Sequence, residues 1–90
     1  MYYTYVLESL KNKRLYVGYT NDLKRRLSDH NAKRGSVYTS KNAPFKIIFY
    51  EAYLNKKDAT KAEKFFKTGY GREVLNDKLE DYFKNKNSNS

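Results

Sequence analysis

Two short stretches near the start of the chain, residues 2–8 (Tyr-Tyr-Thr-Tyr-Val-Leu-Glu) and 15–20 (Leu-Tyr-Val-Gly-Tyr-Thr), are dense in aromatic and β-branched residues. The polar run Lys11-Asn12-Lys13-Arg14 separates them, so the pair reads as a β-hairpin. Asn21 or Asp22 then supplies an N-cap, and Leu23 with Leu27 opens a helical period to about Ala32, stopped by Gly35. A loop from Ser36 to Pro44 leads to a third strand over residues 46–53. Asp58 is expected to cap a second helix reaching about Thr68, and Gly69-Tyr70-Gly71 to break it. In the last helix, about residues 72–84, Leu75, Leu79, Tyr82 and Phe83 form an ordinary packing face. The expected fold is therefore α/β: a small three-stranded, mostly antiparallel sheet flanked by helices, in the order β-β-α-β-α-α. One domain over residues 1–83 would be followed by a flexible polar tail over 84–90.

Polar groups on apolar faces change this picture. At 100° per residue, Leu23, Arg26, Leu27 and His30 share one arc, so a cation and an imidazole must face the sheet if the leucines do. Ala59, Ala62, Glu63 and Phe66 repeat the spacing, which sets Glu63 on an apolar side. A buried charge needs a partner, a metal or an open cleft. From spacing alone, an internal Arg26–Glu63 ion pair and a satisfied core histidine explain the pattern as well as a reactive site does.

Composition narrows the chemistry. Hydrophobic residues make up 39% of the chain and ten of them are Tyr, so tyrosine must serve the core as well as any site. With no Cys and one His, disulfides, thiol nucleophiles and a multi-histidine zinc site are excluded. The start lacks the pattern of a secretory signal and no apolar run could span a bilayer, so the expectation is a soluble cytoplasmic protein with no membrane partner. The net charge is +9, and the last seven residues contribute only Lys84 and Lys86. The body itself is basic and suited to a polyanion, with nucleic acid first. A Ser-His-Asp arrangement, a carboxylate pair and a phosphate-cradling glycine loop all lack the residues they need. What remains is Tyr5, Tyr16 and Tyr19 on strands beside Arg26, His30 and Glu63 on helices. That set suits phosphoryl chemistry, since one carboxylate can hold Mg²⁺ completed by water and substrate phosphate while Arg forks onto a phosphate oxygen.

In this arrangement the chain resembles the GIY-YIG endonuclease superfamily, in its small stand-alone bacterial members, over nearly its whole length before the tail. Tyr3-Thr4-Tyr5 stands for the first motif and Tyr16-Val17-Gly18 for the second. Arg26 lies ten residues after Tyr16, His30 four further on, and Glu63 and Lys67 match the later metal-binding glutamate and its lysine. The chain departs in keeping only the tyrosine of the first motif, and in Tyr19, where the excision-repair nucleases of the superfamily carry lysine. The resemblance implies a metal-dependent endonuclease acting on nucleic acid, DNA ahead of RNA, with one Mg²⁺ or Mn²⁺ on Glu63. Tyr16 would be the general base, Arg26 would stabilise the phosphoryl group, and Tyr5 and His30 would complete the catalytic set. Since a tyrosine's reference pKa is near ~10, such a base needs a nearby cation or a proton relay. Lys24, Arg25, Lys33, Arg34 and Lys67, with Lys41, Lys64 and Arg72 around them, would contact backbone phosphates. No base-reading element is evident, so sequence specificity would come from a protein partner or be absent. The competing expectation is a non-catalytic nucleic-acid-binding module in which tyrosines stack on bases over a basic surface.

Overall fold

The computed structural model describes residues 1–32 and 41–88, with side chains as far as 85. Tyr2–Ser9 (β1) and Leu15–Thr20 (β2) form the expected hairpin. Its turn closes through Ser9: the backbone N–H of Ser9 donates to the Arg14 carbonyl at 2.9 Å and the N–H of Lys13 to the Ser9 carbonyl at 2.9 Å. The Ser9 hydroxyl accepts from Lys11 N and Asn12 N. β1 is the central strand of a fully antiparallel sheet in the order β2-β1-β3, where β3 is Phe45–Tyr53. A bulge between Val6 and Leu7 inserts Ile48 into the pairing with β3.

Alternation along β1 sends its side chains to two cores. Tyr5 and Leu7 pack with Phe45 and, partly buried, Leu23, Leu27 and Ile47 beneath α1, Leu23–Asn31. Val6 packs on the other face with Val17, Phe66 and Leu75, beneath α2 (Lys56–Phe66) and α3 (Gly69–Lys78). Each fully buried side chain of this size contributes about 1.5–3 kcal/mol. Buried polar groups on that second face bond to the helices. The Thr4 hydroxyl donates to the Ala59 carbonyl at 2.5 Å. Glu8, with no exposed surface, accepts from the Tyr82 hydroxyl at 2.7 Å and lies 3.9 Å from the Lys46 ammonium. Tyr82 belongs to the last helix, α4, Glu80–Ser88.

Three helices, not two, follow β3, so among the described residues the order of the main elements is β-β-α-β-α-α-α. α2 begins earlier than expected because Asn55, not Asp58, accepts the N-terminal amide, from Lys57 at 2.8 Å. Asp58 sits in the first turn, where a carboxylate is equally well placed against the helix dipole. Gly69 and Gly71 open α3 rather than preceding it, capped by Thr68, whose hydroxyl accepts from Gly71 N at 2.9 Å. The apolar period from Leu75 to Phe83 is split at Leu79, which caps α3. α4 crosses the boundary expected between 83 and 84. Gly35, Lys33, Arg34, Tyr38 and most of the expected 36–44 loop lie outside the described residues. Among the described residues no helix is long and apolar enough to cross a membrane.

Candidate functional site around the Tyr5 hydroxyl

The site is assembled at the free edge of β2. Tyr5 and Gly18 are directly opposed in the hairpin, and the Tyr5 ring occupies the space that a side chain on Gly18 would take, with Cζ and the hydroxyl in contact range of the missing Cβ. The absent Cβ lets the ring, 2% exposed, lie across β2. There its hydroxyl meets α1. That helix is fixed at both ends: Asp22 accepts from Arg25 N at 3.0 Å, and Asn31 pairs with the Phe45 backbone, accepting from its N–H at 2.6 Å and donating to its carbonyl at 3.1 Å. With Leu23 and Leu27 turned to the core, Arg26 and His30 follow them inward.

The Tyr5 hydroxyl and His30 Nε2 share a hydrogen bond at 3.1 Å, whose direction follows the imidazole tautomer, and the Arg26 guanidinium is near enough to favour the ionised phenol. The Tyr16 ring meets His30 edge-on, centroids 5.4 Å apart. Glu63 and Tyr16 are both close enough for a negative charge on either to oppose ionisation of Tyr5. Residues of four elements, β1, β2, α1 and α2, thus lie in the electrostatic neighbourhood of one hydroxyl. Among the described residues the ion pair of Glu63 is with Lys67, one turn on, at 3.1 Å, rather than with Arg26.

Electrostatics separates the groups. Burial pushes the Tyr5 phenol above its ordinary value, outweighing the lowering effect of Arg26, so Tyr5 stays protonated. Burial and then the Arg26 charge lower His30, against a smaller opposite effect of Asp29. The imidazole is therefore neutral at pH 7, and Arg26 is left to supply the positive charge near the tyrosines. His30 Nδ1 is buried without a hydrogen-bond partner, an arrangement that costs about 1–3 kcal/mol. Since the folded-state pKa of His30 lies below the unfolded value of about 6.5, its contribution to stability is complete above that pH and is lost as pH falls toward the folded value. Thermal melts from pH 7.5 to 5 are expected to show a falling melting temperature that flattens in His30→Phe; equal slopes would mean that the imidazole is not held neutral.

Two open grooves flank this centre. One, about 250 Å³, is lined by Tyr19, Thr20, Asn21, Arg25 and Arg26; Tyr19 stacks on Tyr2 at 6.4 Å. The other, about 440 Å³, is lined by Leu15, Tyr16, Val17, Lys67 and Arg72. Arg25 and Lys67 therefore stand beside the centre, and Lys24 is exposed on α1. Two residues outside the expected site set also shape it: Gly18, already part of the second motif, and Asn31. The register of the hairpin was the signal for Gly18, and the position of Asn31 directly after His30 was the signal for the other.

A divalent cation would find one carboxylate here. Glu51, the other acid in the neighbouring strand, accepts from the Tyr53 hydroxyl at 2.6 Å, and burial with this bond pushes that phenol up to about 12. Among the described residues no three His, Cys, Asp or Glu cluster as a metal cage. A single hard oxygen donor beside cationic grooves fits Mg²⁺ or Mn²⁺, which retain water and take substrate phosphate oxygens. It does not fit a cation that requires an all-protein shell.

Comparison with known proteins gives a consistent answer. The GIY-YIG catalytic domain family matches residues 1–89. UPF0213 proteins of Streptococcus pyogenes serotype M3 and serotype M5 are each 48% identical over 65 residues, which is 72% of this chain and 70% of theirs. The solution NMR structure of a UPF0213 protein from Bacillus halodurans is 33% identical, covers 83% of this chain and 82% of its own, and superposes with a TM-score of 0.51.

Proposed function

This chain belongs to the GIY-YIG family, and we propose that it is an endonuclease hydrolysing phosphodiester bonds of nucleic acid, DNA ahead of RNA. The observation that carries the reading is the gathering of Tyr16, Arg26, His30 and Glu63 around the Tyr5 hydroxyl. Tyr16, only half-buried and so open to solvent, acts as general base toward the attacking water. Tyr5, kept protonated, orients Tyr16 or the water, and His30 holds Tyr5. Arg26 places a guanidinium against the transferring phosphoryl group and stabilises charge that develops there. Glu63, steadied by Lys67, would hold the divalent cation, Mg²⁺ or Mn²⁺, which when bound would supply Lewis-acid stabilisation of the phosphate and the leaving 3′ oxygen. A partner supplies any sequence specificity.

The two grooves, each joining a tyrosine to two cations, favour a second reading, a nucleic-acid-binding module without catalysis. Cleavage and binding measured side by side in Tyr16→Phe test the first against it. In that variant the cleavage rate falls by about 10²-fold or more while oligonucleotide binding is kept. A variant that cleaves at the unmodified rate would place the base elsewhere.

A further inference from the structure

The larger groove carries a second role. It shares Tyr16 and Lys67 with the site but extends beyond it to Arg72, in the first turn of α3. Arg72 is held there by the way α3 begins. A Cβ on Gly71 would run into the Phe65 backbone carbonyl, so α3 starts hard against the end of α2. Thr68 ties the junction by donating to that carbonyl at 2.7 Å while capping Gly71. Arg72, next in sequence, thereby lines the groove together with Leu15, Tyr16 and Val17 of β2. Among the described residues Arg72 forms no ion pair, and the nearest groove cation, Lys67, is already matched to Glu63. The far end of the groove is therefore uncompensated positive charge, beside an apolar wall of Leu15 and Val17. A volume of about 440 Å³ falls within the range of roughly 300–1,000 Å³ usual for small-ligand pockets. A forked cation next to an apolar wall suits a phosphate joined to a sugar and base.

We propose that this groove is a subsite for the nucleotide adjacent to the one cut, in which Arg72 grips that nucleotide's phosphate and Leu15 and Val17 receive its sugar and base edge. The word "cut" rests on the endonuclease reading; the grip on a phosphate does not. Arg72 is a positioning residue, and its loss weakens binding without altering the chemical step.

The test uses the full chain carrying Glu63→Gln, without divalent metal, and a fluorescein-labelled 12-nucleotide oligothymidylate, with affinity read by anisotropy across a salt series. Arg72→Gln is expected to weaken binding about tenfold at low salt and to reduce the log–log salt slope by about 0.7, the share of one phosphate on a single strand. Arg72→Lys keeps the slope, since the charge remains. Lys78→Gln removes the same charge from a position turned roughly 120° away on α3 and leaves the slope unchanged. An unchanged slope in Arg72→Gln, or an equal loss in Lys78→Gln, overturns the subsite in favour of a diffuse basic field. With Glu63 restored, Arg72→Gln raises KM about tenfold with kcat within about twofold; a fall in kcat at constant KM also overturns it. If the unmodified chain cuts nothing, the endonuclease reading fails while the salt series still decides the subsite.

Discussion

Glu63→Gln is expected to lower the cleavage rate by on the order of 10³-fold while leaving the protein folded. Glutamine has the shape of glutamate but no charge, so it cannot act as the hard anionic ligand that the single-carboxylate site requires. The structural cost is small because the Glu63 carboxylate is 24% exposed and its ion pair with Lys67 spans one turn of the same helix. Such pairs contribute about 0.3–0.5 kcal/mol, which in a domain of this size moves the melting temperature by only about 1–4 °C. Circular dichroism melts beside an oligonucleotide cleavage assay separate the two effects. A fall of well over 10 °C would instead mark Glu63 as a member of an internal ion-pair network.

Gly18→Val is expected to lower stability by about 2–3 kcal/mol, a fall of roughly 10–20 °C in melting temperature, and to abolish cleavage. Strand propensity alone argues the opposite sign, because valine is favoured over glycine in a strand by up to ~1 kcal/mol. Packing prevails here. The Cβ would overlap the Tyr5 ring, and that ring is buried between β2 and His30 with nowhere to swing. Displacing it also breaks the Tyr5–His30 hydrogen bond, worth about 1 kcal/mol, and leaves Nε2 as a second unpaired nitrogen on a buried imidazole. Thermal melts check the sign directly, since a stabilised variant would mean that the ring does not lie over Gly18.

The parts of this architecture legible in the sequence are those set by local periodicity. The arc shared by Leu23, Arg26, Leu27 and His30 was visible because two leucines fixed which side of α1 turns inward, and His30 is indeed fully buried. Glu63 stood out for the same reason. What the chain hid depends on distant partners or on competition between neighbouring signals. Glu8, at the end of a strand, looks like a solvent-facing carboxylate; partners far along the chain, Tyr82 and Lys46 among them, make its burial tolerable. Asn55 and Asp58 are both good residues at a helix start, and propensity does not rank a cap against a first-turn acid. Gly69-Tyr70-Gly71 reads as a break because glycine weakens helices, yet Gly71 is inside α3 since no larger residue could sit against the Phe65 carbonyl. The end of α3 at Leu79 was concealed by an apolar period running through to Phe83. The pairing of Tyr5 with Gly18 needed the hairpin register, which alternation alone leaves free by two residues.

The central claim is that the residues gathered around Tyr5 hydrolyse phosphodiester bonds, and the chemistry of the product ends tests it most directly. End-labelled single-stranded, duplex and flap oligonucleotides are incubated with the protein in Mg²⁺, in Mn²⁺ and in chelator, and the fragments are probed with phosphatase and ligase. The account predicts cleavage only with divalent metal, leaving 5′-phosphate and 3′-hydroxyl ends as the 3′ oxygen departs. Tight binding with no cleavage in either metal, or fragments that form equally well in chelator, would contradict it.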